Sequence, residues 1–214
     1  MNLYSTGYID IHTHKIYADD TLSIFNAHLF QANDKAGKQS IGLHPWYIKD
    51  IAKEMFQLRK QIAASDIVAI GECGLDKMTS TPYPIQEEAF KLQIQLAKEN
   101  NLPIIVHCVK AYQECEMLLQ NYDKVIFHGF NKKLNFLLPL LFKGYYISFG
   151  TSLLQASTSI VESFLNTPIE QLFLETDHKP NHIKEVYKAA AKLRGISEES
   201  LIIQIQKNYN KLFN

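Results

Sequence analysis

Apolar residues along this chain follow two alternating rhythms. Short runs rich in β-branched and aromatic residues, with a period near two, recur at 8–14, 23–30, 39–45, 67–75, 103–109, 124–130, 145–150 and 171–177. Between most of them, apolar positions fall three and four apart, at 49–64, 85–100, 110–121, 133–143, 181–194 and 197–213, with a weaker stretch at 156–166. The first rhythm marks strands and the second marks helices. Their alternation predicts an α/β fold, and eight strands with interleaved helices predict a compact (β/α)8 barrel of the TIM type. The connections 15–22 and 31–38 are too short for full helices, so the outer helical ring is expected to be incomplete near the first strands. A doubly wound open sheet is the alternative, but no G-x-G-x-x-G turn follows any run. Without repeats or linker-like stretches, residues 1–214 are expected to form one domain.

The first run carries an unusual face. In YIDIHTHK, alternation places Asp10, His12 and His14 on one side of the strand and Ile9, Ile11 and Thr13 on the other. Burying such a face is costly unless its groups are paired or bind a cation. The same residue types recur at the C-terminal ends of later runs: His44, Glu72, His107, His128 and Asp177. In a parallel barrel those ends share one mouth, so the set is expected to converge there. Four imidazoles, His12, His14, His107 and His128, with the carboxylates Glu72 and Asp177, are the donor chemistry of a first-row divalent metal site. Any one histidine at a strand end is more often a core residue than a ligand. His28, inside the second run, and His182, at a helix start, keep that structural reading.

Composition narrows the setting. With 214 residues, 46% of them apolar, the chain can bury a full core. It has no apolar stretch long enough to span a membrane. The N-terminus MNLYSTGYID lacks the basic-then-apolar order of a signal peptide, so a soluble cytoplasmic protein is expected, with no obligate protein partner. Cys73, Cys108 and Cys115 form no C-x-x-C pair and predict neither a disulfide framework nor a thiolate metal site. The 22 basic residues balance the 22 acidic ones, so no general field draws the protein to a polyanion.

The motifs DIHTH at 10–14, GLHPW at 42–46, GECGLD at 71–76, IIVHC at 104–108, FHGF at 127–130 and LETD at 174–177 together resemble the TatD-like metal-dependent deoxyribonucleases. So do Gln86, Phe90 and Gln93 in their helical spacing and the terminal N-x-x-x-L-F of residues 208–213. The resemblance runs over nearly the whole chain in order. It implies a distorted barrel of the amidohydrolase superfamily and a hydrolytic site with two divalent ions, zinc, manganese or magnesium. Carried over by position, His12, His14, Glu72 and Asp177 would hold the first ion and Glu72, His107 and His128 the second. Two departures stand out. The fifth strand ends His107-Cys108-Val109-Lys110-Ala111 where many members read H-S-R-E-A, and His178-Lys179-Pro180 follows the last ligand in place of Ala-Pro.

The chemistry expected is metal-assisted hydrolysis with a metal-activated water. Asp177 would orient or deprotonate that water, and Glu72 would act with it as the bridging ligand. Asp10 and Glu175 are expected behind the ligands, Asp10 holding an imidazole by its free N–H. His44, Asp76 and Lys110 are candidates for that outer layer or for contact with substrate. Lys15, Lys77, Lys110, Lys132, Lys133 and Lys179 each follow a proposed ligand closely and would form a positive rim suited to a phosphodiester such as DNA. Asp19, Asp20 and Asp76 lie in the same loops and offset it. The rival readings are a small-molecule amidohydrolase, phosphatase or lactonase on the same metals, and a barrel that binds without catalysis.

Overall fold

The computed structural model describes residues 7–27, 29, 37–63 and 67–214. His28, the end of the run at 23–30 and most of the connection 31–38 lie outside the described residues. In chain order the elements are β1 (Ile9–Thr13), β2 (Leu22–Ala27), β3 (Gln39–Ile41), α1 (Ile51–Ile62), β4 (Ile67–Asp76), α2 (Tyr83–Glu99), β5 (Ile104–Val109), α3 (Tyr112–Leu118), β6 (Val125–Phe127), α4 (Leu134–Phe142), β7 (Tyr146–Phe149), α5 (Thr158–Asn166), β8 (Leu172–Leu174), α6 (Ile183–Arg194) and α7 (Glu198–Phe213). Every run read as a strand overlaps one, and every segment read as a helix overlaps one. The connection 15–21 carries no helix, as its length predicted.

The elements gather into two compact units, one of residues 1–23 and 128–214, the other of residues 24–127. In the second, β2 to β6 pair in parallel in sequence order, with Ala27 beside Ile41, Ile41 beside Ile70, Ile70 beside Ile104 and Ile104 beside Val125. Ile70, Ile104, Ile105, Val106 and Ile126 are fully buried, as are Ala89 and Phe90 on α2. These near-continuous apolar runs are what a parallel strand covered on both faces requires.

Two glycines of β4 let β5 come close. A Cβ on Gly74 would lie 2.0 Å from the His107 carbonyl oxygen, and one on Gly71 would lie 2.6 Å from that of Ile105. Both glycines have φ of +146°, which side-chain-bearing residues rarely adopt. Two buried glutamines on α2 then fix the loops around these strands. Gln93 accepts from the Leu43 amide at 2.7 Å and donates to the Leu43 carbonyl at 3.2 Å. Gln86 accepts from the Asp76 amide at 2.8 Å and donates to the Asp76 carbonyl at 3.1 Å. Each side chain acts as a strand neighbour for one residue, satisfying groups that burial would otherwise leave unpaired.

In the first unit β7 and β8 are parallel, with Phe149 beside Leu174, and β8 leads into a bridge between Asp177 and Thr13 at the end of β1. The Leu22 amide donates to the Tyr8 carbonyl, which sets the start of β2 beside β1. Helices α6 and α7 hold the strand starts. The Tyr187 hydroxyl donates to the Ile9 carbonyl at 3.1 Å and accepts from the Ile9 amide at 3.2 Å. Asn208 donates to the carbonyls of Ile169 and Leu172 at 2.8 and 2.9 Å, and Gln206 donates to that of Gly7 at 2.8 Å. His182 caps α6 by accepting from the Lys184 amide, the structural role read for it from the sequence.

Candidate metal centre

In the first unit, the alternating pattern of β1 turns Asp10 and His12 to one face, and both are fully buried. His14 lies one residue past the strand. Asp177 lies three residues past β8, where the chain turns through the left-handed region at φ +52°. That conformation is costly for a residue with a side chain. It is held by β1: the Asp177 amide donates to the His12 carbonyl at 2.9 Å, and the His14 amide donates to the Asp177 carbonyl at 3.2 Å. The turn aims the Asp177 carboxylate at the two imidazoles. Oδ1 stands 3.7 Å from His12 Nε2 and 3.5 Å from His14 Nε2.

His128 follows β6 in sequence and brings its ring to 4.4 Å from that of His12. Its Nδ1 faces Glu175 Oε1 at 3.4 Å. Glu175 is 1% exposed, and its Oε2 has no hydrogen-bond partner among the described residues. Asp10 accepts from the Thr176 amide at 3.0 Å, the Thr176 hydroxyl at 2.6 Å and the Tyr17 hydroxyl at 2.8 Å. Burial pushes its carboxyl up to about 6, against the opposing pull of those hydrogen bonds. Asp10 thus joins β1 to the segment carrying Asp177, where the sequence suggested a support for an imidazole. A cavity of about 670 Å³ opens on this side, lined by Asn131, Thr151, Glu175, Asp177, Lys179 and Asn181 among others.

In the second unit, β4 and β5 run side by side with Gly74 beside His107. Glu72 on β4 receives two imidazoles at Oε1, His107 Nδ1 at 2.7 Å and His44 Nε2 at 3.2 Å. Its amide donates to the Asn26 side chain at 2.9 Å. Asp76, at the end of β4, faces the other nitrogen of His107 at 3.2 Å and accepts from the Trp46 indole at 2.5 Å. Burial works to raise its carboxyl, but the donors Trp46, the Met78 amide and His107 together outweigh it and hold the group below the usual range. His44, read from the sequence as a substrate or water contact, is grouped here with Glu72 and His107.

The donor atoms of His12, His14 and Asp177 all lie within 4.8 Å of one another, as do those of His44, Glu72 and His107. Two donors about 2.1 Å from one tetrahedral ion stand about 3.4 Å apart. The separations of 3.5 and 3.7 Å around Asp177 are close to that value and too long for a strong hydrogen bond. Imidazole nitrogens with a carboxylate oxygen suit a divalent first-row ion, so the residues fit a metal.

The lysines expected at the rim are variously engaged. Lys77 pairs with Glu114, and Lys15 donates to the Asn181 carbonyl at 2.9 Å. Lys110 and Lys179 are exposed. Cys73 and Cys115 are buried and Cys108 is half-buried; none forms a disulfide. Several supporting contacts were not foreseen from the sequence: those of Tyr17 and Thr176 around Asp10, that of Trp46 on Asp76, and that of His178, noted only as a departure, whose Nδ1 lies 2.7 Å from Asp177 Oδ2. Among the described residues, no helix is long and apolar enough to cross a membrane.

A family model described as TatD related DNase matches residues 13–214. The chain is 29% identical over 194 residues to an uncharacterized metal-dependent hydrolase, YabD, of Bacillus subtilis, covering 81% of this chain and 76% of that protein. It is 27% identical over 197 residues to a protein of Pantoea ananatis named 3'-5' ssDNA/RNA exonuclease TatD, covering 80% and 76%. Among solved structures, the TatD homologue YjjV of Escherichia coli K12 superposes with a TM-score of 0.82 at 24% identity, over 97% of this chain and 98% of that one. The likeness bears out the expected α/β fold class of TIM-barrel type.

Proposed function

The chain belongs to the TatD-related DNase family of metal-dependent hydrolases, and from that premise we propose that it hydrolyses phosphodiester bonds in nucleic acid, with single-stranded DNA as the first substrate to test. The observation that carries this reading is the pair of donor clusters, each with imidazoles disposed about a carboxylate. In this reading two divalent ions are bound. His12, His14 and Asp177 are donors to one, Glu72 and His107 are donors to the other, and His128 is a further nitrogen donor. The preponderance of imidazole favours zinc or manganese over magnesium.

When bound, such an ion supplies Lewis acidity and a water of lowered pKa. The chain's own groups do the rest. Asp177, fixed by β1 on both sides of its backbone, is the base that takes the proton of the attacking water. Asp76 holds His107 by its second nitrogen and so fixes that ring's orientation. Lys110 and Lys179, both exposed, are the lysines of the expected rim that we assign to the flanking phosphates. The protein named as an exonuclease among its relatives supports nucleic acid as the substrate class. We assign the work to the cytoplasm, without an obligate protein partner.

The test is release of nucleotides from end-labelled single-stranded DNA by purified protein supplied in turn with zinc, manganese and magnesium. Release should stop with chelator and with Glu72→Ala. Turnover of esters, lactones or amides without nucleotide release would reject the nuclease reading in favour of a small-molecule hydrolase. Inertness towards both classes would leave a binding protein.

A further inference from the structure

We propose that Trp46 and Tyr47 form a stacking platform for a nucleobase, placed beside the His44–Glu72–His107 cluster. The proposal rests on the nuclease reading and gives it a subsite for the base. Both rings are exposed, Trp46 by 51% and Tyr47 by 61%, in a turn whose backbone is closed by the Tyr47 amide donating to the His44 carbonyl at 3.0 Å. Single exposed aromatics are ordinary on protein surfaces. These two differ in being adjacent and next to the candidate chemistry, and Trp46 is anchored as well.

The anchor is polar and buried. The Trp46 indole N–H donates to Asp76 Oδ2 at 2.5 Å, and Asp76 is only 2% exposed. The indole is therefore tied at its N–H while half of the residue's surface remains exposed. A tryptophan present for packing alone would bury most of its surface. Tethering also fixes the ring before any ligand arrives, which reduces the ordering cost of binding. The Trp46 ring stands at 85° to His44 with centroids 5.1 Å apart, and at 79° to His107 at 6.0 Å. It forms a wall beside the imidazoles. Tyr47 meets it at 74° with centroids 6.2 Å apart, so the two rings make a corner in which a flat base can stack on one and present its edge to the other.

A base suits this corner better than a phosphate does. The rings offer π-faces, and Lys77, the lysine that follows β4, is paired with Glu114. Stacking on aromatics accepts any base, so the platform predicts affinity for bases with weak sequence preference.

Trp46 is the chain's single tryptophan, so intrinsic fluorescence reports this position alone. The full chain, kept from cutting by chelator, is titrated with an eight-nucleotide oligothymidylate and with an abasic strand of equal length. The oligothymidylate should quench the fluorescence and the abasic strand should not. By anisotropy of labelled strands, Trp46→Ala and Tyr47→Ala should each weaken oligothymidylate binding by about tenfold to a hundredfold and leave the abasic strand unchanged. Trp46→Phe, which keeps a stacking ring, should retain most of the affinity even if the alanine variant folds poorly. Equal binding and quenching by both strands, or unchanged affinity in both alanine variants, would overturn the platform while leaving the nuclease reading intact. Absence of binding to either strand, together with no cleavage when metal is supplied, would overturn both.

Discussion

His14 and Asp177 are joined twice, through the backbone by the His14 amide donating to the Asp177 carbonyl at 3.2 Å, and through their side chains by the 3.5 Å approach of Nε2 to Oδ1. The backbone bond holds the costly turn at Asp177, and the turn gives the carboxylate its aim. As proposed donors, both side chains can be removed separately from the backbone link. His14→Ala and Asp177→Asn should each lower zinc or manganese affinity by more than about a hundredfold, beyond the loss expected for an outer partner. With metal withheld, His14→Ala should change stability by less than about 1 kcal/mol, because its side chain is partly exposed. Chelator competition and denaturant unfolding measure the two effects. Unchanged metal affinity in both variants would remove this cluster from the metal reading.

His178 offers a subtler variant. Its Nδ1 is 2.7 Å from Asp177 Oδ2, whereas Oδ1 is the oxygen that approaches His12 and His14. Because His178 is itself 65% exposed, the contact contributes little to stability. His178→Ala should leave the unfolding curve in place and lower metal affinity by about tenfold, the low end for an outer partner. Calorimetric titration with zinc would show it.

Gln93 makes a prediction about the loop that carries His44 and Trp46. Gln93→Leu removes the partner of both the Leu43 amide and the Leu43 carbonyl. Leaving buried backbone groups unpaired should destabilise the protein by about 2–3 kcal/mol, read from urea midpoints at constant slope. The indole emission of Trp46 should shift as its turn loosens.

Gly74 and Gly144 provide a contrast. Both have positive φ, but a Cβ on Gly74 would strike the His107 carbonyl at 2.0 Å, whereas one on Gly144 meets nothing within 4 Å. Gly144→Ala should cost about 1 kcal/mol from conformation alone. Gly74→Ala must also move β5 away and should cost more than about 3 kcal/mol, with His107 displaced. Comparable thermal midpoints for the two variants would contradict the close approach of β4 and β5.

Asp10 sets a pH dependence. Its carboxyl rises from 3.8 in the unfolded chain to about 6 in the folded one, first through burial. The folded state therefore holds the proton more tightly. Its contribution to stability is full below about pH 4 and is lost as pH rises through 6, for a total of about 3 kcal/mol. In chelator-treated protein, the stability of wild type relative to Asp10→Asn should fall by about that amount between pH 4 and pH 7. A flat difference across that window would mean that Asp10 is not perturbed in this sense.

Much of this structure was legible in advance, and the places where it was not have specific causes. Every strand and helix was found by its period, but several strands end earlier than their apolar runs. The run at 39–45 yields only Gln39–Ile41, because Gln93 takes the backbone groups of Leu43. The run at 124–130 stops at Phe127, and Gly129 turns at φ +59°. The run at 171–177 gives Leu172–Leu174, between a 3-10 turn at Ile169–Gln171 and the left-handed turn at Asp177. Candidate ligands were visible because buried charge is rare and its spacing was regular. Their supports were not, since Trp46 meets Asp76 only through folding across 30 positions. One signal was available: Gln86 and Gln93 stand seven residues apart on the apolar face of α2, and a buried amide in such a place needs backbone partners.

Asp76 Oδ2 serves two rings with one atom, the indole of Trp46 and the imidazole of His107. Electron density drawn towards one donor is withdrawn from the other, so the two contacts compete. Freeing the indole would leave that oxygen to the imidazole alone, and displacing His107 would leave it to the indole. The edge tether of the proposed platform and the orientation of the proposed donor His107 thus depend on a single carboxylate oxygen.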